Sequence, residues 1–263
     1  MRRMIDKTNP IPLYIQLANC LESMIKNGSY TVGSLLPPEG ELADETGVNR
    51  NTVRHAIDLL TQKGLVEKRK GVGTMVKRKS PLNPVHKMNR MTSFVDDFEI
   101  DKVEIEDVIL SKEKIPATDE LAEKLALTPG ESVVKIERVR IADKIPLVLE
   151  IQYYSFERFG KLLDMDIKGS MYKILTKVFN VNLDHSVQTI RVMNPTKEVA
   201  NSLGMHPHTP SIFRVNTPCI FLESLAYTEK GMCIEVLHSY YCGDRYLFKV
   251  ETGEYQRGIG ATE

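Results

Sequence analysis

Long apolar runs are missing from this sequence of 263 residues. No stretch approaches the roughly 18 to 20 apolar residues that a helix needs to cross a bilayer, and no signal-peptide segment follows the amino terminus. Low-complexity tracts are also missing, and a composition of 42% hydrophobic and 27% charged residues is typical of a folded globular protein. The sequence therefore predicts a cytoplasmic protein without a membrane partner.

Cysteine and histidine are too few and too scattered to suggest a metal or redox site. The four cysteines, Cys20, Cys219, Cys233 and Cys242, include no CxxC pair, so neither a zinc ribbon nor a redox pair is predicted. The six histidines show no HxxxH spacing, and no serine lies in a nucleophile elbow. We expect no metal, no cofactor and no catalytic residue.

A net charge of either sign is also missing, since 35 Lys and Arg balance 35 Asp and Glu. The balance hides a division of the chain. Residues 1–80 carry 13 Lys and Arg against 8 Asp and Glu, whereas residues 81–263 carry 22 against 27. The length is sufficient for two domains, so the sequence predicts a basic module joined to an acidic one.

Apolar residues at helical spacing predict three helices near the amino terminus, at about 12–26, 38–46 and 50–63. Gly47-Val48-Asn49 forms a tight turn between the second and the third, and Asn49 is placed to cap the third. Two short helices joined by a glycine turn predict a helix-turn-helix.

The first turn of the predicted third helix is polar, and it contains Arg50, Asn51, Thr52 and Arg54. Recognition helices contact base edges with their amino-terminal residues, where Arg binds guanine and Asn binds adenine through paired hydrogen bonds. We expect these four residues to read the major groove of double-stranded DNA. A solvated polar turn is the alternative.

Two short strands, Leu65-Val66-Glu67 and Thr74-Met75-Val76, are predicted on either side of a basic turn tipped by glycine. The expected DNA contacts in this turn are Lys68, Arg69, Lys70 and Gly71. Glycines allow a hairpin tip to enter the narrow minor groove, and clustered cations contact phosphates. The order of helix, helix-turn-helix and basic wing predicts a winged helix-turn-helix over residues 1–76.

Several motifs occur together in this region: Pro12-Leu13-Tyr14, Leu36-Pro37-Pro38-Glu39, Glu41-Leu42-Ala43, Thr52-Val53-Arg54, Lys63-Gly64-Leu65 and Gly71-Val72-Gly73-Thr74. Through them, residues 11–76 resemble the GntR superfamily of transcriptional regulators. The resemblance implies that Arg50, Thr52 and Arg54 meet the major groove, with Lys70 and Gly71 at the wing tip. Gly40 departs from the pattern, because many relatives carry there Arg or another polar residue that helps to grip DNA.

Residues 77–90 show no apolar periodicity and are predicted to be a linker. Beyond them, one unit of a helix followed by a hairpin occurs twice, at about 116–154 and 194–241, and the second unit includes a predicted strand at 211–215. The repeat predicts one shared antiparallel sheet with helices on a face.

Arg138 and Arg140 share a strand face with aliphatic residues, because strand side chains alternate. Paired guanidiniums on a rigid strand can bind a phosphate or a carboxylate. Surface charge at a sheet edge is the alternative. Ser170 lies where a predicted helix begins, so it either helps to bind an anion or only caps the helix.

Further motifs follow the linker: Met91-Thr92-Ser93-Phe94, Glu137-Arg138-Val139-Arg140, Leu149-Glu150, Gly169-Ser170-Met171-Tyr172, Ile234-Glu235 and Ser239-Tyr240-Tyr241. Over about residues 88–250 the chain resembles the UTRA effector-binding domain of the HutC subfamily of GntR regulators, whose α+β fold is similar to chorismate lyase. The resemblance implies an effector pocket in which the anionic group of the ligand is bound by Thr92, Ser93, Arg138, Arg140, Ser170 and Tyr172. It places Phe94 in the same pocket and implies that Glu150, Glu235 and Tyr241 meet hydroxyl, amino or ring groups of the ligand. Cys242 stands where relatives often have Arg.

The predicted architecture is therefore an α/β chain of two domains. A winged helix-turn-helix covers 1–76, a linker 77–90, an α+β UTRA domain 91–250 and a tail 251–263. We expect a homodimeric repressor that is released from its operator by a small anionic effector. The first candidates for this effector are a sugar phosphate and an aminosugar phosphate, and another organic acid is the next. The alternatives are an effector-dependent activator and a lyase-like enzyme acting on a small acid.

Overall fold

The structure is a computed structural model that describes residues 5–79, 81, 84–98, 103–205 and 218–252. The chain divides into two compact units, and the second begins at Pro84. Among the described residues, no helix is both long enough and apolar enough to cross a membrane.

The first unit contains three helices and a hairpin. The helices are α1 (Leu13–Lys26), α2 (Glu39–Thr46) and α3 (Arg50–Gln62). Strands β1 (Val66–Arg69) and β2 (Gly73–Val76) pair in antiparallel fashion. The predicted winged helix-turn-helix is confirmed, with each helix within about two residues of its expected bounds.

Local chemistry explains where these helices begin and end. Gly47 has a φ of 71°, a left-handed conformation that glycine adopts without steric cost, and it ends α2. The side chain of Asn49 accepts a hydrogen bond from the backbone N–H of Thr52 at 2.8 Å and caps α3. Fully buried Leu21, Leu42 and Ile57 join the three helices in one core.

The second unit is built on a six-stranded sheet. Its strands are β4 (Ile105–Pro116), β5 (Ser132–Ala142), β6 (Ile145–Ser155), β7 (Leu183–Met193), β8 (Cys219–Thr228) and β9 (Cys233–Cys242). The spatial order is β4-β5-β6-β9-β8-β7. Strand β9 pairs in antiparallel fashion with both β6 and β8, and β7 pairs in the same way with β8. The predicted antiparallel sheet is confirmed.

Each half of this sheet consists of a strand, a helix and a hairpin. Helix α4 (Asp119–Leu125) lies between β4 and β5, and α7 (Lys197–Ser202) lies between β7 and β8. The predicted repeat is therefore present and is longer than expected, because β4 and β7 precede the helices. Both are edge strands with many exposed residues, so their apolar pattern is weak. The strand predicted at 211–215 lies outside the described residues.

Helices cover both faces of the sheet, whereas the sequence predicted helices on one face. Val133 packs with α4 on one face, and its neighbour Val134 packs on the other face with α6 (Met171–Lys177). Alternation of strand side chains explains this division. The remaining short helices are α5 (Phe156–Phe159), α6 (Met171–Lys177) and two 3₁₀ turns, Phe94–Asp97 and Gly160–Leu163.

A second, smaller sheet changes the expected linker. Residues Val85–Lys87 form β3, which pairs in parallel with β10 (Leu247–Lys249). The prediction of a linker through residue 90 is therefore wrong for this segment. Only one of its three side chains, His86, is buried, so the segment has no readable periodicity. Most of the predicted tail, from residue 253 onwards, lies outside the described residues.

Candidate DNA-binding surface and effector pocket

The first turn of α3 presents most of the predicted base-reading residues to solvent. Arg50, Asn51 and Arg54 are exposed, and Thr52 is half-buried. The Arg54 guanidinium donates a hydrogen bond to Asn51 Oδ1 at 2.6 Å, and the Thr52 hydroxyl donates to Asn49 Oδ1 at 3.0 Å. The helix therefore displays two guanidiniums at its start, one of them already oriented by Asn51. Their contact with bases stays a prediction.

The glycine at position 40 has a structural consequence at this surface. A Cβ atom on Gly40 would lie 3.2 Å from Nη2 of Arg50, closer than an ordinary van der Waals contact. The Arg50 guanidinium thus occupies the space that a side chain at position 40 would need. At the position for which the resemblance implies a polar side chain on α2, this chain places a cation from α3.

The tip of the β1–β2 hairpin is exposed at each of the four predicted wing residues. Lys68 forms an ion pair with Asp58 at 2.6 Å, and Arg69 lies 3.4 Å from Glu67. Lys70 forms no ion pair with any residue that the structure describes. Gly71 has a φ of 76°, which allows the sharp turn at the tip. Lys70 is therefore the wing cation most available to a phosphate.

The ten residues predicted to contact an effector line a single cavity in the second unit. They are Thr92, Ser93, Phe94, Arg138, Arg140, Glu150, Ser170, Tyr172, Glu235 and Tyr241. Ser170 also caps α6, so its helix-capping role, one of the two alternatives, occurs together with a position in the cavity wall. That these residues bind a ligand stays a prediction.

The cavity wall contains further residues that sequence reasoning did not find: His86, Asp97, Gln152, Met171, Gln188, Leu222, Ser224 and Leu237. Alternation along a strand could have indicated two of them, since Gln152 follows Glu150 by two residues and Leu237 follows Glu235 by two. No local signal indicated His86, which lies in the segment expected to be a linker.

Arg138 and Arg140 are almost completely buried, with 2% and 1% of their surfaces exposed. They lie on β5, the second strand of the sheet, so the alternative of surface charge at a sheet edge is wrong. Each arginine already has an acidic partner. Arg138 Nε donates to Glu150 Oε2 at 2.7 Å, and Arg140 Nε lies 2.5 Å from Asp107 Oδ1.

These pairs favour the charged forms of Glu150 and Arg138. Burial alone would raise the pKa of Glu150, but the neighbouring Arg138 and Arg140 outweigh it and hold that pKa below its ordinary value. Burial alone would lower the pKa of Arg138, yet Glu150 and Asp107 hold it above the ordinary value. One end of the cavity is therefore a fixed array of opposite charges with no large excess of either sign.

Glu235 differs from Glu150, because it forms no ion pair with any arginine that the structure describes. Burial, with a smaller contribution from the negative charge of Glu150, raises the pKa of Glu235 to about 7 even though the hydrogen bond from Tyr154 lowers it. The Tyr154 hydroxyl donates to Glu235 Oε1, and Gln152 Nε2 donates to the same oxygen at 3.3 Å. The second oxygen, Oε2, is buried without a hydrogen-bond partner among the described residues.

Comparison with known families agrees with both units. Residues 13–76 match the bacterial regulatory proteins of the gntR family, and residues 103–247 match the UTRA domain. The chain is 31% identical over 244 residues to the HTH-type transcriptional repressor NagR of Bacillus subtilis, which covers 93% of this chain and 96% of that protein.

Two further relatives extend the comparison. The mannosyl-D-glycerate transport/metabolism system repressor MngR of Escherichia coli is 30% identical over 237 residues, 90% of this chain and 94% of that protein. The crystal structure of PhnF from Mycobacterium smegmatis superposes with a TM-score of 0.60 at 25% identity, over 90% of this chain and 99% of that one.

These relatives are regulators rather than enzymes, so the lyase-like alternative is set aside. The two family matches cover the winged helix-turn-helix (the DNA reader, residues 13–76) and then the domain with the six-stranded sheet (residues 103–247). The protein belongs to the GntR family of bacterial transcription regulators, as a DNA-binding winged helix-turn-helix followed by a UTRA domain.

Proposed function

We propose that the chain is a repressor that leaves its operator when a sugar phosphate or an aminosugar phosphate occupies the UTRA cavity. One observation supports an effector that bears a phosphate group. Arg140 Nη2 and Thr92 Oγ1 line the cavity, are buried and have no hydrogen-bond partner among the described residues. A buried donor without a partner costs about 1–3 kcal/mol, and phosphate oxygens would satisfy both groups.

The charge pairs of the cavity are compatible with an anionic ligand. Glu150 and Asp107 offset the charges of the two arginines, so the pocket holds little excess positive charge before a ligand enters. Guanidiniums have five donors each, and their carboxylate partners use only some of them. A phosphate can therefore be bound by the remaining donors without displacing the carboxylates.

The other polar groups favour a ligand that also carries hydrogen-bond donors. Gln152 Oε1 and, when Glu235 is ionised, Glu235 Oε2 are buried acceptors without partners among the described residues. Hydroxyl or amino groups of a sugar would donate to these oxygens. An anionic end combined with donating substituents describes a sugar phosphate better than it describes a simple organic acid.

Repression rather than activation is favoured by the names of two relatives, NagR and MngR, each of which is called a repressor. We further propose that the regulator acts in the cytosol as a homodimer on a two-fold symmetric operator, because one winged reader contacts too little DNA for useful specificity. Sedimentation of the protein with palindromic DNA tests this point. One protomer per operator at micromolar concentration would contradict it.

A thermal-shift screen followed by an operator-release titration tests the effector class. The panel contains glucosamine 6-phosphate, N-acetylglucosamine 6-phosphate, fructose 6-phosphate, inorganic phosphate and unphosphorylated glucosamine. A ligand at 100 times its Kd raises the free energy of unfolding by about 2.7 kcal/mol. We expect a sugar phosphate to stabilise the chain and to release the operator. Stabilisation by unphosphorylated glucosamine alone would overturn the anionic assignment.

A further inference from the structure

His86 belongs both to the strand that follows the DNA reader and to the wall of the effector cavity. It is the central residue of β3, with 5% of its surface exposed. Its ring packs against Phe248 on β10, with 5.3 Å between ring centroids, and against Tyr241 at 6.3 Å. The ring is therefore held in place by two aromatic neighbours rather than free to turn into solvent.

One nitrogen of this ring is occupied by a buried carboxylate. His86 Nδ1 lies 3.1 Å and 3.2 Å from the two oxygens of Asp97, at the end of the 3₁₀ turn that begins at Phe94. Asp97 also accepts a hydrogen bond from the Tyr246 hydroxyl and is 2% exposed. A carboxylate oxygen accepts hydrogen bonds, so a hydrogen bond to Asp97 requires a proton on His86 Nδ1.

The other nitrogen of the ring has nothing to bind within the described chain. His86 Nε2 is buried and has no hydrogen-bond partner among the described residues. In the neutral ring with a proton on Nδ1, Nε2 is an acceptor. A buried acceptor without a partner destabilises the protein, so native proteins seldom keep one unless water or a ligand satisfies it.

We propose that His86 is an effector-contacting residue whose Nε2 accepts a hydrogen bond from a hydroxyl or N–H group of the ligand. The proposal rests on the proposed function, because it requires that the cavity hold the effector. It adds a specificity requirement that the arginines do not impose: the ligand must present a donor at the β3 wall. It also gives the effector a direct contact with the strand that follows the reader in the chain.

Two matched substitutions separate the two nitrogens of the ring. His86→Asn keeps a donor that can reach Asp97 and removes the acceptor at the position of Nε2. His86→Gln extends an amide to the position of Nε2 and loses the bond to Asp97. The Kd of glucosamine 6-phosphate is measured by calorimetry on the full chain for the wild type and both variants. We expect His86→Asn to raise the Kd about tenfold, as the loss of one hydrogen bond implies, and His86→Gln to raise it less.

Nitrogen NMR of the histidine rings in the ligand-free protein gives a readout that does not depend on the choice of ligand. We expect the ligand-free wild type to carry the His86 proton on Nδ1, and the Nε2 resonance to move when glucosamine 6-phosphate binds. A proton on Nε2 in the ligand-free protein overturns the proposal, as does an unchanged Kd in a folded His86→Asn variant. If no sugar phosphate binds the wild type, the proposed effector class is wrong. The position of the ring proton in the ligand-free protein then tests the His86 proposal separately: a proton on Nδ1 supports an acceptor at Nε2, and a proton on Nε2 overturns it.

Discussion

The two candidate sites of this regulator are built in opposite ways. In the reader, the side chains expected to contact DNA are exposed except for half-buried Thr52, and Lys70 forms no ion pair with any residue that the structure describes. In the effector cavity, Arg138, Arg140 and Glu150 are buried and bind one another. An exposed cation is already solvated, whereas a buried ion loses its compensation when its partner is removed. Function and stability should therefore be separable in the reader and coupled in the cavity.

The largest effect is expected from Arg138→Ala, which tests the coupled side of this comparison. The change leaves the Glu150 carboxylate buried without its main partner, so we expect the free energy of unfolding to fall by about 3–5 kcal/mol. Effector binding should be lost as well, with the Kd raised roughly 30-fold or more. Urea unfolding and calorimetric titration measure the two effects separately. Operator binding by the fraction that remains folded should persist without response to the effector.

The variant Arg138→Ala with Glu150→Gln is the control for this explanation. If an uncompensated charge causes the loss, neutralising Glu150 should restore part of the stability without restoring effector binding. If Arg138→Ala alone lowers the free energy of unfolding by less than about 0.5 kcal/mol, as substitutions of exposed residues do, the proposed contrast between the two sites is wrong.

Glu235 makes the cavity side of the comparison sensitive to pH. Its pKa is raised by burial from an ordinary 4.5 to about 7 in the folded state. The protonated form is therefore favoured by folding, and the stability that it contributes is complete below about pH 4.5 and is lost as the pH rises through 7. We expect a loss of roughly 3 kcal/mol across this window.

Glu235→Gln removes this titration while keeping the shape of the side chain. Urea unfolding at pH 5 and pH 8 should show a smaller decrease in stability for the variant than for the wild type. Parallel pH profiles for the two proteins would mean that Glu235 titrates normally in the folded state, and the cavity would then be more hydrated than its burial indicates.

Arg54→Ala tests the separable side. We expect specific operator binding to weaken by roughly 1–3 kcal/mol, because one base-reading guanidinium is lost. The free energy of unfolding should change by less than about 0.5 kcal/mol, since Arg54 is exposed and its partner Asn51 is exposed too. Fluorescence anisotropy on operator and non-operator DNA measures the specific part. Equal affinity of wild type and variant for the operator would return Arg54 to an ordinary solvated position.

The smallest effect is expected at the wing. Lys70→Ala should weaken binding to all DNA nearly equally and lower the slope of log affinity against log salt by about one, because one phosphate contact disappears. Lys177→Ala, which removes an exposed lysine from α6 in the UTRA domain, is the matched control and should leave the slope unchanged. A loss confined to one base sequence would instead assign Lys70 to base readout.

The reader could be predicted from the sequence almost completely because its signals are local. The Asn49 cap, the Gly47 turn and the apolar spacing of α3 all lie within a few residues of the structure that they specify. The cavity could be predicted only in part. Its ten expected residues came together through resemblance to a known domain. Asp107, the partner of Arg140, was missed because it lies on the neighbouring strand β4, which helix α4 separates from β5 in the chain, and such a pairing leaves no local pattern.

The strand β3 shows the same limit more sharply. Three residues form it, and its pairing partner β10 begins at Leu247, about 160 residues later in the chain. Composition and spacing around Val85 gave no reason to separate this segment from the linker. The pairing of such short strands depends on the closure of a long loop between them. The sequence pattern around either strand contains no information about that closure.

The pairing of β3 with β10 also has a consequence for recombination between relatives. The UTRA fold is closed by its own first and last strands, so residues 84–87 are part of that fold although they follow the reader directly. A chimaera that exchanges readers should be joined before Pro84. A junction near residue 90, where the resemblance to the UTRA domain begins, would give the new protein a foreign strand opposite β10 and would remove His86 from the ring cluster that contains Tyr241 and Phe248.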